Sequence, residues 1–226
     1  MSAPTGQVFN SAGAGAFGGA LFMFATEDGT ISRWSGGSAA TLSVDSSGAS
    51  AVYKGLAIAG TGANARIYAA NFNPGKAEAF DSNFTPILSG GFVDPTLPNG
   101  YAPLDSPWGL ALAPSGFGQF GGDLLIGNFG DGTISAFNPT TGAFVGTLDD
   151  AQGNPIVIER LWGLLFGNGA HGAGTDDLFF TAGIPGPGGI EDHGLFGDLA
   201  SVPEPSSLLL LASGAAYLVL RRRRYD

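Results

Sequence analysis

Two asparagines occupy the same place in two copies of one pattern: Asn71 stands near the end of "RIYAANF" and Asn128 near the end of "DLLIGNF". Acidic residues lie near the corresponding points of their own segments, with Glu27 and Asp28 in one, Asp131 in another, and Asp176 and Asp177 in a third. Carboxylate and amide oxygens brought together on a rigid frame are what a hard cation such as calcium takes, and calcium is the one cofactor these residues suggest. The same residue types also close turns and satisfy strand ends with no ion at all. The turn reading is the stronger, because the third copy, "DLFFTAG", has Ala182 at the asparagine position. Trp108 and Trp162 stand directly before Gly109-Leu110 and Gly163-Leu164, one tryptophan to each Gly-Leu pair. An aromatic repeated at the spacing of a structural unit packs between units, or stacks on sugar rings where it reaches the surface. His171 and His193, the only histidines, sit in glycine-rich or acidic turns, where solvated side chains are the rule. Two G-x-G-x-x-G matches, at Gly13 to Gly18 and Gly167 to Gly172, open no helix, and no nucleophile elbow or P-loop is present. No catalytic residue and no assigned metal site follow from these motifs.

The elements that must position these residues are short strands. "DGTIS" occurs at Asp28 to Ser32 and again at Asp131 to Ser135, each time after an apolar segment and before an aromatic. Asp-Gly between alternating apolar stretches marks a tight hairpin, so both copies predict paired strands. "GLAIA" at Gly55, "GLALA" at Gly109 and "GLLFG" at Gly163 recur at a constant step along the chain. Each unit reads as strand, turn, strand, turn, strand, and units of this size point to the blades of a β-propeller. About four such units fit into residues 1–200, as a small propeller or as a larger one lacking blades. The 39 glycines and 14 prolines among 226 residues agree with many tight turns, and no long 3.6-residue period calls for helices in the body.

A formal net charge of −10 repels phosphate backbones and excludes nucleic acid as the natural partner. With no cysteine, disulfides and thiolate chemistry are absent. The first residues, "MSAPTGQVFN", have neither the basic nor the apolar segment of a signal peptide. The end of the chain, from Ser201 onward, is of another kind. Leu208 to Leu220 is almost wholly apolar and is followed by Arg221, Arg222, Arg223 and Arg224. From Ser206 to Leu220 a helix would run roughly 22 Å, short of the ~30 Å hydrocarbon core, but snorkelling arginines and a thinned bilayer can make up the difference. The arginines would hold their end on the cytoplasmic side and stop transfer, placing the body beyond the inner membrane.

Val202-Pro203-Glu204-Pro205, a short apolar helix and a terminal arginine cluster together resemble the PEP-CTERM sorting signal of Gram-negative bacteria. The resemblance implies export, recognition of the Pro-Glu-Pro motif by an exosortase-type processing enzyme, and release to the envelope or extracellular matrix. It also implies an export signal upstream of Met1. The body, through "SPWGLALAPSGFGQFGGDLLIGNFGDGTISAFNPTTGAFVGTLDDAQGNPIV" with "YKGLAIA" and "YAANF", resembles an uncharacterised family of bacterial PEP-CTERM proteins from about Ser2 to Gly183. That family implies a propeller with a further blade-sized segment where Leu104-Asp105-Ser106 stands here. The expected architecture is thus an all-β propeller at residues 1–200 and a sorting signal with one transmembrane helix at 201–226. The expected function is an exported binding or structural protein of the cell surface or polysaccharide matrix. The alternative is a calcium-dependent hydrolase of the propeller lactonase type.

Overall fold

A computed structural model describes residues 3–73, 75–88, 91–92, 104–183, 186 and 193–200. Among the described residues, fifteen strands form four antiparallel sheets that follow one another along the chain. Blade 1 comprises β1 (Pro4–Phe9), β2 (Phe22–Thr26), β3 (Thr30–Trp34) and β4 (Thr41–Asp45). Blade 2 comprises β5 (Tyr53–Ala59), β6 (Arg66–Asn71), β7 (Lys76–Asp81) and β8 (Pro86–Ile87). Blade 3 comprises β9 (Pro107–Leu112), β10 (Leu124–Asn128), β11 (Ile134–Phe137) and β12 (Phe144–Thr147). Blade 4 comprises β13 (Leu161–Phe166), β14 (Asp177–Gly183) and β15 (Gly194–Ala200). The fold is an all-β propeller of four blades. Both Asp-Gly hairpins form, with Gly29 and Gly132 at φ of 78° and 77°, the left-handed conformation that such a turn demands.

The first strand of each blade packs on the first strand of the next, β1 on β5, β5 on β9 and β9 on β13. Among the described residues no comparable packing joins β13 to β1, so the four blades make an arc. Three apolar layers hold it together. Met23, Ala25 and Ile31 of blade 1 meet Leu56, Ile67 and Phe80 of blade 2. Ala57 and Tyr68 on the other side of blade 2 meet Leu110, Leu124 and Ile126. Leu125, Ile134 and Ala136 meet Leu164, Leu178 and Phe180. Strand alternation produces this arrangement, since successive side chains enter the layers on opposite sides of one blade.

Glycine sets the distance between inner strands. A Cβ on Gly6 would lie 2.1 Å from the Lys54 carbonyl oxygen, one on Gly55 2.4 Å from that of Trp108, and one on Gly109 2.5 Å from that of Trp162. Each blade thus approaches its successor backbone to backbone, at a point where no side chain fits. The pairing register slips near the start of the inner strand in all four blades, beside Gly6, Gly55, Gly109 and Gly163. A bulge there bends the strand and re-aims the residue ahead of the glycine.

Tyr53 is fully buried, and its hydroxyl donates to the Glu78 carboxylate and contacts Ser46 Oγ at 3.0 Å. Burial, and then the hydrogen bond to Glu78, push its phenol well above the ordinary 10.0. Because the folded state holds the proton more tightly, the stabilisation is complete below the unfolded value and declines as pH rises above it. We therefore expect a denaturation midpoint that falls once the pH exceeds that ordinary value, and a shallower fall for Tyr53→Phe, as measured by guanidinium titration at stepped alkaline pH. Tyr68, raised by burial as well, contributes the slope that the variant retains.

Candidate functional site: an aromatic cluster around Lys54

The bulges place four equivalent residues together at the starts of the inner strands: Thr5, Lys54, Trp108 and Trp162. The second strands add a companion position one residue after the strand-end polar group, occupied by Glu27, Phe72 and Phe129 in the first three blades. Trp108 packs edge-on to Phe72 at 5.9 Å between ring centroids, and lies 5.6 Å from Phe129 and 6.3 Å from Trp162. Lys54 enters this cluster. Its Nζ is 4.2 Å from the Trp108 centroid and 5.3 Å from that of Phe72, and it pairs with the Glu27 carboxylate. The Lys54 side chain is 7% exposed, whereas that of Glu27 is 48% exposed. Two ring faces and one carboxylate take the place of water around the ammonium group. Trp108, Trp162, Phe72 and Phe129 remain partly open to solvent. The surface is apolar apart from the Lys54–Glu27 ion pair, suited to stacking on a ligand face and bonding to hydroxyl groups.

The two tryptophans expected to pack or to stack are therefore neighbours whose rings are packed together and still partly open. Lys54 escaped the sequence reading, although it stands directly before Gly55-Leu56 just as Trp108 stands before Gly109-Leu110. Charge type hid the equivalence, since a lysine in an aromatic series reads as a break in it.

Asn71 and Asn128 occupy equivalent ends of β6 and β10 and face their own blades. Asn71 Oδ1 accepts from the Val52 amide at 3.0 Å, and Asn128 Oδ1 accepts from the Asp105 amide at 3.1 Å. Asn128 Nδ2 donates to Thr133 Oγ1 at 3.0 Å and to Ser135 Oγ at 3.4 Å. Both amides thus bind the chain where it turns into the inner strand. Asp131 receives the Thr133 amide at 2.9 Å and its hydroxyl at 2.8 Å, within the hairpin turn. Glu27 is the partner of Lys54. Among the described residues no group of three or more His, Cys, Asp and Glu gathers as metal ligands.

The sorting residues Val202, Pro203, Glu204 and Pro205, the apolar run and Arg221 to Arg224 lie outside the described residues. Among those described, no helix is long and apolar enough to cross a membrane.

An uncharacterised protein of Acanthamoeba polyphaga mimivirus is 26% identical over 225 residues, covering 73% of this chain and 54% of the relative. A second uncharacterised protein of that virus is 35% identical over 95 residues, 42% of this chain and 24% of its own length. The chain thus spans about half, or less, of the curated relatives it matches. Among solved structures, virginiamycin B lyase from Staphylococcus aureus matches with a TM-score of 0.49 at 15% identity, over 90% of this chain and 57% of the lyase. The WD40 β-propeller domain of Doa1 matches with a TM-score of 0.44 at 16% identity, over 71% of this chain and 43% of that one. Residues 201–224 match the PEP-CTERM protein-sorting motif. The chain therefore carries a PEP-CTERM sorting motif behind a β-propeller body.

Proposed function

We propose that this is an exported binding protein of the cell envelope or extracellular matrix that grips polysaccharide at the aromatic cluster around Lys54. Residues 1–200 form the binding body. Residues 201–226 form the sorting signal, with a membrane-spanning helix that holds the chain in the inner membrane until an exosortase-type enzyme processes it near Pro203-Glu204-Pro205. The observation that carries the binding role is the convergence of Trp108, Trp162, Phe72 and Phe129, all partly open, from three blades onto one ion pair. A net charge of −10 disfavours anionic glycans, so the ligand is a neutral one.

Trp162 stands at the border of the cluster, so its replacement removes a stacking face with less disturbance of packing than that of Trp108. The full chain should be retarded in gels cast with neutral glucans, and Trp162→Ala should weaken that retardation about tenfold, the effect of losing roughly 1.4 kcal/mol of stacking. Unretarded migration of the folded wild type through dextran, curdlan and hydroxyethyl cellulose would remove the polysaccharide reading.

A further inference from the structure

The four blades can be aligned position by position through their inner hairpins. Phe22 of blade 1 corresponds to Ile67, Leu124 and Leu178, the residues that face the preceding blade. Those three are fully buried, whereas Phe22 is partly exposed, with no blade packed on that side among the described residues. The opposite sides of the blades show the same relation in reverse. Ala57 and Ala111 are each 6% exposed beneath the following blade, but their equivalent in blade 4, Leu165, is 72% exposed. Phe196, 70% exposed, stacks on Phe179 beside it, with rings 5.7 Å apart and inclined by 10°. The arc therefore ends in two halves of the joint that it uses three times internally.

One half is recessed and the other projects. Blade 1 presents a cleft of about 380 Å³ lined by Gln7, Phe22, Phe24 and Trp34, with Phe9, 58% exposed, beside it. Blade 4 presents projecting apolar side chains. The glycine series also stops short: Gly6, Gly55 and Gly109 each meet a backbone carbonyl of the next inner strand, while a Cβ on Gly163 would meet only the Thr181 hydroxyl of its own blade. The next carbonyl in the series is that of Thr5, the residue ahead of the first glycine.

We propose that a second copy of this chain docks head to tail, blade 1 of one copy on blade 4 of the other, and that two such joints related by a two-fold axis close an eight-bladed ring. The occupant follows from continuity, because the contact between blades 4 and 1 extends an interface the chain already makes between blades 1 and 2, 2 and 3, and 3 and 4. Burial of apolar surface drives it, since two copies of net charge −10 repel one another through space. A heterologous joint that closes gives a ring, and one that does not gives a filament. The closed ring places both Lys54 clusters around one axis, so that each axial site faces its counterpart.

The test compares the full chain in detergent with Leu165→Asp and with Phe9→Asp, both at exposed positions, by sedimentation velocity, with circular dichroism to confirm that each variant folds. The wild type should sediment as a protein dimer, twice the 22.8 kDa chain. Each variant alone should be monomeric, with association weakened at least tenfold, because both joints of the ring then carry a charge. An equimolar mixture of the two should regain dimers, because one joint between unaltered faces remains available. A monomeric wild type would overturn the proposal, as would variants that dimerise like the wild type, an effect of only one variant, or species that keep growing with concentration.

Discussion

Gly109→Ala destabilises the chain by about 3 kcal/mol, near the upper end of what overpacking costs, because the added methyl meets backbone rather than a side chain that can turn aside. Its Cβ would lie 2.5 Å from the Trp162 carbonyl oxygen and 2.8 Å from the Leu164 amide nitrogen. The position is not one of positive φ, so the cost is steric and comes from prising blade 3 from blade 4. Gly163→Ala is the matched control, since its Cβ meets only Thr181 Oγ1, at 3.0 Å, and should cost less than about 1 kcal/mol within one chain. Guanidinium unfolding of both variants, at a concentration that keeps the chain monomeric, measures the difference. Equal midpoints would mean that the inner strands do not set the distance between blades.

Asn128→Ala has the second large effect. The amide is completely buried and joins three segments, accepting from the Asp105 amide while donating to Thr133 and Ser135. Truncation strips the Asp105 amide of its acceptor and two hydroxyls of a donor, at a cost of about 2–3 kcal/mol. The same amide was a candidate calcium ligand on sequence grounds, and one experiment separates the two roles. Thermal unfolding of wild type and variant with calcium and with a chelator should show the same loss in both. A loss confined to the calcium-containing sample would instead make Asn128 a ligand.

Much of the architecture was legible because repetition makes a fold redundant. The steps from Gly55 to Gly109 to Gly163 located three inner strands, and the paired Asp-Gly turns located two hairpins. Blade 1 was harder to read, since the step from Gly6 to Gly55 is shorter than the later ones and its inner strand reads Thr5-Gly6-Gln7 rather than Gly-Leu. The outer strands β4, β8 and β12 were missed as a series. They pair on one side only, and β8 has just two residues, so little in their sequence is constrained by a partner. In the site, Trp108 and Trp162 stood out by type and spacing. Lys54 could be found only by giving position precedence over chemistry, because the fold repeats the place at the bulge while each blade fills it differently. The closeness of Glu27 to Lys54 was illegible, since it depends on how tightly successive blades pack.

A blade touches only the blade before it and the blade after it, so the array behaves as a one-dimensional chain of units whose stability is the sum of weak blades and strong joints. An inner blade is held by two joints and a terminal blade by one, so opening starts at the ends and moves inward. Among the described residues blade 4 has three strands and one covered side, and is the natural first unit to leave. Joining the ends changes the statistics and not only the size, because a circle has no terminal unit, and every blade must then break two joints at once to escape.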